Sequence, residues 1–228
     1  MIDRVIGWFA PHICEGCGVA GSTLCERCNN NIMAHPWLHC VQCLGLIDRI
    51  SRQNQGNLCH TCRRHTPFDK AFVVGERADT LERLVGNFKY LSRRDSATAM
   101  ASLLSSVMPD SIPDDIQIVF VPSSPKNIRE RGFDHMKLVA SQLAKQRQLA
   151  ISPVIERLSN QAQHSASRAK RLEQARLAFG LNNTSVPEQV LLIDDIYTTG
   201  ATTQTIAELL RQAGTKTIWL AIVARQRH

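Results

Sequence analysis

The cysteines of this 228-residue chain are the residues whose type and spacing most directly indicate chemistry. All eight lie within the first 62 residues, as four pairs with two residues between the members of each pair. A CxxC turn lets two thiolates bind one metal ion, and two such turns complete the tetrahedral four-sulfur shell that zinc prefers. The sequence therefore predicts two structural zinc ions, bound by Cys14, Cys17, Cys25, Cys28, Cys40, Cys43, Cys59 and Cys62.

The cysteine pairs can share the two ions in more than one way. Sequential grouping, within residues 14–28 and within residues 40–62, closes the shortest loops and is the arrangement we expect, and interleaved grouping is the alternative. Disulfides would require an oxidising compartment, but the apolar run at residues 5–10 is too short for a signal peptide or a membrane span. We therefore expect a cytoplasmic location without membrane insertion.

A second stretch with chemical potential, VLLIDDIYTTGAT, occupies residues 190–202. The four apolar residues at 190–193 predict a buried strand, and Asp194 and Asp195 follow directly. In an open parallel sheet, ligands bind at the carboxyl ends of the strands. This pattern predicts that the two aspartates face a ligand.

The residues after the two aspartates predict a phosphate site. Residues 198–202 would form the turn into a helix, whose first N–H groups and dipole attract a phosphate. Carboxylates accept hydrogen bonds from hydroxyls, so a phosphate site beside two carboxylates suits a sugar phosphate. The residues predicted to bind this ligand are Asp194, Asp195, Thr198, Thr199, Gly200, Ala201 and Thr202.

The remaining sequence must supply the elements that position these residues. Because the cysteines stop at residue 62, we predict a double zinc ribbon at residues 1–66 and an α/β domain at residues 67–228, with 63–69 as a linker. Strands without alternation, separated by helices, indicate a parallel sheet flanked by helices. The predicted helices are 81–88, 96–107, 133–148 and 206–213, and the predicted strands are 116–121, 190–193 and 217–223.

The net charge of +7 is concentrated in one part of the chain. Residues 124–176 contain eleven basic and four acidic residues, an excess equal to that of the whole chain. Such a concentration suits an anionic partner, either a polyphosphate ligand or nucleic acid, and a solvated basic face is the alternative.

Residues 190–202 closely resemble the phosphoribosyl pyrophosphate (PRPP) signature of the type I phosphoribosyltransferases. The resemblance implies that Asp194 and Asp195 hold the ribose 2′ and 3′ hydroxyls and that residues 198–202 hold the 5′ phosphate. It also implies Mg²⁺ bound together with PRPP. Hypoxanthine-guanine enzymes have an aspartate where this chain has Thr198, so a standard oxopurine salvage enzyme is disfavoured.

The same resemblance assigns roles to the basic segment. A loop after residue 121 would handle the pyrophosphate, with Lys126, Arg129 and Arg131 as candidates. Residues 163–179 would supply a mobile hood, in which Lys170 and its basic neighbours Arg168 and Arg171 close over the pyrophosphate. The residues expected to take part in catalysis are therefore Asp194, Asp195, Arg131 and Lys170.

The order of motifs along the chain narrows the resemblance to the ComF (GntX-like) competence-associated family. The motifs are the paired cysteines, FKY near position 89, VPxxPxxxxxRGF, QAQHSASRAKRLEQARLAF, the PRPP signature and a final strand ending in Ala224-Arg225. Family members usually read RGFNQ where this chain has RGFDH, which puts any role of that amide pair in doubt. The resemblance implies a role in natural transformation or DNA utilisation.

Two functions of different classes follow. The first is an enzyme that transfers a phosphoribosyl group from Mg²⁺-PRPP to an unidentified acceptor. The second is a non-catalytic PRPP- or nucleotide-binding module that engages single-stranded DNA or a competence partner such as a DNA translocase. Eleven cations exceed what one pyrophosphate can use, so we expect Lys145, Arg147 and Arg157 to be left for DNA or a protein.

Overall fold

A computed structural model describes residues 12–90, 93–158, 177–182 and 185–227 of the chain. The first four strands are β1 (Lys70–Glu76), β2 (Gln117–Phe120), β3 (Ile155–Arg157) and β4 (Phe179–Leu181), followed by β5 (Gln189–Tyr197) and β6 (Thr217–Arg225). The central sheet has the order β1-β6-β5-β2, and all of its strands are parallel. Because the strands are parallel, their carboxyl ends lie at one edge of the sheet, which confirms the predicted architecture.

The helices cover the sheet as the sequence pattern indicates. They are α1 (Glu26–Ala34), α2 (Arg49–Gln55), α3 (His60–Arg63), α4 (Asp79–Tyr90), α5 (Ser96–Val107), α6 (Pro125–Arg131), α7 (His135–Arg147) and α8 (Ala201–Gln212). The predicted helix at 96–107 coincides with α5, because small and apolar residues at helical spacing give it one continuous buried face. The predicted helix at 133–148 is shorter, because Asp134 caps the amino end of α7 and Gln148 its carboxyl end.

The two faces of the sheet have separate apolar cores. On one face, Leu191 and Ile193 of β5 pack in a cluster with residues of α4, α5 and α7. On the other face, Val190 and Leu192 share a cluster with residues of α8 and of the cysteine-rich region. Alternate side chains of a strand point to opposite faces, so both sets are buried and the strand shows no polar alternation.

Two more of the predicted boundaries differ from the structure. The predicted strand 190–193 continues as β5 to Tyr197, so Asp194 and Asp195 lie within the strand instead of after it. The predicted loop after residue 121 is short, because Ser124 caps α6 and Pro125 occupies its first turn, where a missing N–H costs no hydrogen bond. Strands β3 and β4 form an antiparallel pair on either side of the predicted hood, most of which lies outside the described residues.

The second half of the cysteine-rich region packs directly on the sheet. Trp37, Val41 and Leu58 belong to the same buried cluster as α8. The Asn57 side chain donates to the Trp37 carbonyl at 2.7 Å and accepts from the Val73 N–H at 2.9 Å. The division at residues 66 and 67 therefore stays a prediction, while this packing ties the cysteine-rich region to the sheet.

The last residues of the predicted linker 63–69 pack against the α/β part of the chain. Phe68 is buried, and the Asp69 carboxylate accepts from the Arg211 guanidinium at 2.7 Å and from the Ile218 N–H at 2.8 Å. None of the helices in the described part of the chain combines the length and the apolar character that a membrane span needs.

Candidate functional site

The eight thiols form two groups in the sequential arrangement. In each of the two groups, the sulfur atoms all lie within 4.8 Å of one another. A tetrahedral shell with Zn–S bonds of about 2.3 Å separates neighbouring sulfurs by about 3.8 Å. The Cys17 and Cys25 sulfurs are 3.7 Å apart and the Cys43 and Cys59 sulfurs 3.9 Å apart, so both groups could hold a zinc ion.

Backbone N–H groups favour the thiolate form of some of these cysteines, whereas burial and neighbouring thiols oppose it in others. Burial opposes ionisation of Cys14, but the N–H groups of Cys25, Cys17 and Gly16 outweigh it and lower its pKa to about 6. In the same group, burial and the neighbouring thiols raise the pKa of Cys28 to about 12. Four thiolates this close repel one another, and a bound cation removes the repulsion.

Each cysteine group has its own attachment to the α/β part of the chain. At the first group, the buried Glu15 carboxylate accepts from Asn87 at 2.6 Å and from Arg93 at 2.9 Å. Arg83 donates to the Glu15 carbonyl at 2.6 Å. The first group is therefore fastened to α4 and the residues that follow it, whereas the second group packs against the opposite face of the sheet.

Asp195 is buried between two basic side chains that the cysteine and PRPP motifs do not contain. Its carboxylate accepts from the His135 ring at 2.6 Å and lies 2.7 Å from the Lys89 ammonium. Burial opposes ionisation of Asp195, but Lys89 and His135 outweigh this effect and hold its pKa well below the ordinary value of 3.8. Asp195 is therefore an ionised carboxylate with both partners in place.

Asp194 has the opposite electrostatic character. Burial, followed by repulsion from Asp195, raises its pKa to about 8, although Lys89 and the Asp195 N–H partly oppose the rise. One Asp194 oxygen accepts from the Asp195 N–H at 2.9 Å. Two adjacent carboxyl groups with separated pKa values are typical of functional sites, where the neutral group can donate a hydrogen bond and the ionised group can accept one.

The loop between β5 and α8 has the geometry of an anion site. Gly200 adopts a φ of 79°, and a Cβ there would overlap the Tyr197 phenol, so the turn requires glycine. Gly200, the N-cap residue of α8, offers no capping side chain, and the Ala201 N–H donates to the Thr199 hydroxyl at 3.4 Å. A small cavity of about 40 Å³ lies between Asp194 and this loop, lined by residues 196–203. Its open N–H groups and hydroxyls suit a phosphate group.

The structure brings some of the predicted residues together and leaves others apart. Asp194, Thr198, Thr199, Gly200, Ala201 and Thr202 line this one cavity. Arg131 is not among the residues that line the cavity, and its guanidinium lies 3.4 Å from the His135 Nδ1, on the side of Asp195. Lys126 is exposed and lies 3.8 Å from Glu130 on the same helix. Lys170 is outside the described residues.

The three basic residues predicted to be left for DNA or a protein have different surroundings in the structure. Lys145 and Arg147 lie in the last turn of α7, where Arg147 donates to the Pro109 and Asp110 carbonyls. Arg157 is different, because burial lowers its pKa while the nearby Asp194 carboxyl opposes the lowering. Arg157 therefore interacts electrostatically with Asp194, and its assignment to DNA or a protein stays a prediction.

Lys89 and His135 are the site residues that sequence reasoning missed. Both lie in motifs quoted for the ComF resemblance, FKY and RGFDH, but nothing in their spacing points to Asp195. The departure from RGFNQ has a structural meaning, since Asp134 caps α7 and also accepts from Ser123. His135 replaces a neutral amide with a ring that donates to Asp195.

The parallel α/β fold, the loop suited to a phosphate group and the two four-cysteine groups define the structural class of this protein. Comparison with known proteins narrows that class. No family model matches the chain. The chain is 27% identical to the competence protein ComFC of Streptococcus pneumoniae, over 78% of this chain and 84% of that protein. It is 26% identical to competence protein F of Haemophilus influenzae, over 91% and 92% of the two chains. The DNA utilization protein YhgH of Salmonella typhi is 28% identical, over 93% and 90%. These similarities support the ComF competence family as the group this chain resembles.

The raised pKa of Asp194 predicts that Asp194→Asn increases the thermal stability of the protein by an amount that depends on pH. A folded-state pKa of about 8, above the ordinary 3.8, means that the neutral form stabilises the fold, and this stabilisation is lost as the pH rises from 3.8 through 8. Asparagine stays neutral, so the variant should unfold at a higher temperature than the wild type, by a margin that grows up to about pH 8. Each kcal/mol corresponds to about 2–4 °C.

Thermal unfolding at several pH values checks this prediction. The matched control is Asp114→Asn, which changes an exposed aspartate before β2, at the opposite end of the strand from the site. A difference between Asp194→Asn and wild type that stays constant with pH would contradict a raised pKa at Asp194.

Proposed function

We propose that this protein binds PRPP, together with Mg²⁺, in the loop between β5 and α8 and transfers its phosphoribosyl group to an acceptor during DNA utilisation or natural transformation. The observation that carries the proposal is the position of Asp194 directly beside the amino end of α8. A 5′ phosphate in the loop would place ribose hydroxyls toward the two aspartates. The names of the relatives support the biological setting.

The electrostatics of the aspartate pair suit a ribose that carries two hydroxyls. Ionised Asp195 would accept a hydrogen bond from one hydroxyl, and Asp194 could donate or accept according to pH. Arg131 lies 3.4 Å from the His135 ring and Arg157 interacts electrostatically with Asp194, so both guanidinium groups could help to offset the negative charge of a pyrophosphate group. Mg²⁺ would add positive charge beside the pyrophosphate and weaken the bond to the leaving group.

A non-catalytic role is the second candidate, and one observation favours it. Lys89 and His135 already occupy the carboxylate of Asp195. Residues 198–202 contain no carboxylate, so this loop offers no base to deprotonate an acceptor. Such a site could bind PRPP or a nucleotide as a signal while other surfaces engage single-stranded DNA or a competence partner. Pyrophosphate release from PRPP across a panel of acceptors distinguishes the two candidates.

The variant Asp194→Asn should weaken binding of Mg²⁺-PRPP. A hydrogen bond to a charged group contributes about 1.5–3 kcal/mol, so we expect an affinity loss of roughly tenfold to a hundredfold above pH 8, where Asp194 is ionised. Asp194 is preferable to a double change with Asp195, because Asp195 also holds Lys89. Calorimetry provides the measurement, and Asp114→Asn is again the control. Equal affinities in both variants and the wild type would remove the basis of the proposed site.

A further inference from the structure

The second cysteine group reaches the phosphate loop through a residue between two of its own ligands. Gln42 lies between Cys40 and Cys43, and its side-chain oxygen accepts hydrogen bonds from the Tyr197 hydroxyl and, at 3.1 Å, from the Gln204 amide. Tyr197 is the last residue of β5, and Gln204 lies in the first turn of α8. A single side chain of the cysteine turn therefore binds both ends of the loop.

A second connection runs through the backbone of the same turn. The buried Arg225 donates to the Val41 carbonyl at 2.7 Å and to the Tyr197 carbonyl at 3.1 Å. Its guanidinium also lies 5.0 Å from the centre of the Tyr197 ring. Val41, like Gln42, stands between Cys40 and Cys43. These contacts thus connect the turn directly to the carboxyl ends of β5 and β6.

Tyr197 in turn determines the shape of the phosphate loop. Its ring fills the space that a side chain at Gly200 would need, so the ring and the left-handed turn at Gly200 pack directly against each other. The Gly200 carbonyl accepts from the Gln204 N–H at 2.8 Å and begins α8. Moving the turn at 40–43 would therefore move the groups that form the anion site.

We propose that Gln42 is a positioning residue that couples metal binding by the second cysteine group to phosphate-ester binding by the loop. The proposal rests on the proposed function, because it concerns the same loop. A metal ion holds Cys40 and Cys43 in one geometry, and that geometry places Gln42 against Tyr197 and Gln204. Coupling between two sites is reciprocal, so a ligand in the loop also makes the second metal ion harder to remove.

The first cysteine group offers an internal comparison. The described hydrogen bonds and ion pairs that join residues 12–28 to the chain beyond α1 run to Arg83, Asn87, Arg93 and Asp95. None of those contacts involves residues 197–204. A ligand in the phosphate loop should therefore protect one metal ion and leave the other unaffected.

The first experiment measures zinc transfer from the full-length zinc-loaded protein to a chromogenic chelator, with and without saturating ribose 5-phosphate. We expect the sugar phosphate to raise the affinity for one of the two ions, measured at equilibrium against the chelator, by at least about fivefold, the lower end of typical coupling. In Gln42→Ala, both ions should bind but this protection should disappear. The matched control Gln53→Ala changes an exposed glutamine of α2 and should behave as wild type. An equal gain in affinity for both ions, or a gain for neither when the ligand binds, overturns the proposal, as does unchanged protection in Gln42→Ala.

A second measurement separates this proposal from the proposed function. Hydrogen exchange of the unliganded protein should show faster exchange at residues 198–206 in Gln42→Ala than in Gln53→Ala, with no difference in α5. If ribose 5-phosphate and PRPP fail to bind the wild type, the proposed function falls, and this comparison alone decides the positioning role. Equal exchange at residues 198–206 in the two variants overturns that role.

Discussion

The variant Lys89→Met is expected to lower the free energy of unfolding by about 3–5 kcal/mol, the usual cost of removing one partner from a buried ion pair. The Lys89 side chain is 20% exposed and that of Asp195 only 5%, so water replaces little of the lost interaction. Methionine keeps the length and apolar body of the side chain but not its charge. The destabilisation therefore reports the ion pair more than the packing.

The effect of Lys89→Met should also depend on pH. The pKa of Asp195 is depressed in the folded protein, so its ionised form stabilises the fold above the ordinary value of 3.8, and this contribution is lost as the pH falls. The deficit of the variant should therefore be largest above pH 3.8 and should shrink in acid. Urea denaturation at several pH values provides the measurement.

The control for this prediction is Lys126→Met. The Lys126 side chain is 68% exposed and lies near Glu130, and an exposed pair of this kind contributes about 0–1 kcal/mol. The ion pair at Asp195 would be of no importance to the fold if both methionine variants had the stability of the wild type. A further loss of PRPP affinity in Lys89→Met alone would extend its role to the proposed site.

The second large effect concerns the metal ions. The wild-type protein, purified without oxygen, should contain two zinc ions per chain, and Cys17→Ser and Cys43→Ser should each contain one. Structural zinc contributes about 10–16 kcal/mol in isolated zinc-finger peptides, so losing either ion should lower the unfolding temperature by many degrees. Elemental analysis and thermal unfolding check these expectations.

The two serine variants should differ in how much of the structure they destabilise. The second group includes Cys40 in the apolar cluster that also contains Trp37, Leu58 and residues of α8. Cys43→Ser should therefore destabilise the sheet region more than Cys17→Ser, whose group is attached to the surface of α4 by polar contacts. One zinc ion or none in the wild type would contradict the two-site prediction, and equal unfolding temperatures for the variants would contradict the packing argument.

Metal chemistry and fold class were available from the sequence because the decisive signals are local. A CxxC turn brings two sulfurs together within four residues, whatever the rest of the chain does. The helix α5 was predicted within its observed bounds because helical spacing repeats within a few residues. The phosphate loop is also local, since strand, glycine turn and helix follow one another in residues 190–202.

The tertiary structure decided which distant side chains meet at the candidate site. His135 and Asp195 are 60 residues apart in sequence, and Gln42 and Tyr197 are 155 apart. No periodicity reports such pairs, because they depend on the sheet order β1-β6-β5-β2 and on the packing of the second cysteine group against it. The same packing extends β5 beyond Ile193 and buries Asp195, since β6 pairs with β5 as far as Tyr197. The sequence thus determined which groups could bind metal and phosphate, whereas only the fold determined which charges surround Asp195, because buried charges take their partners from whatever elements pack against them.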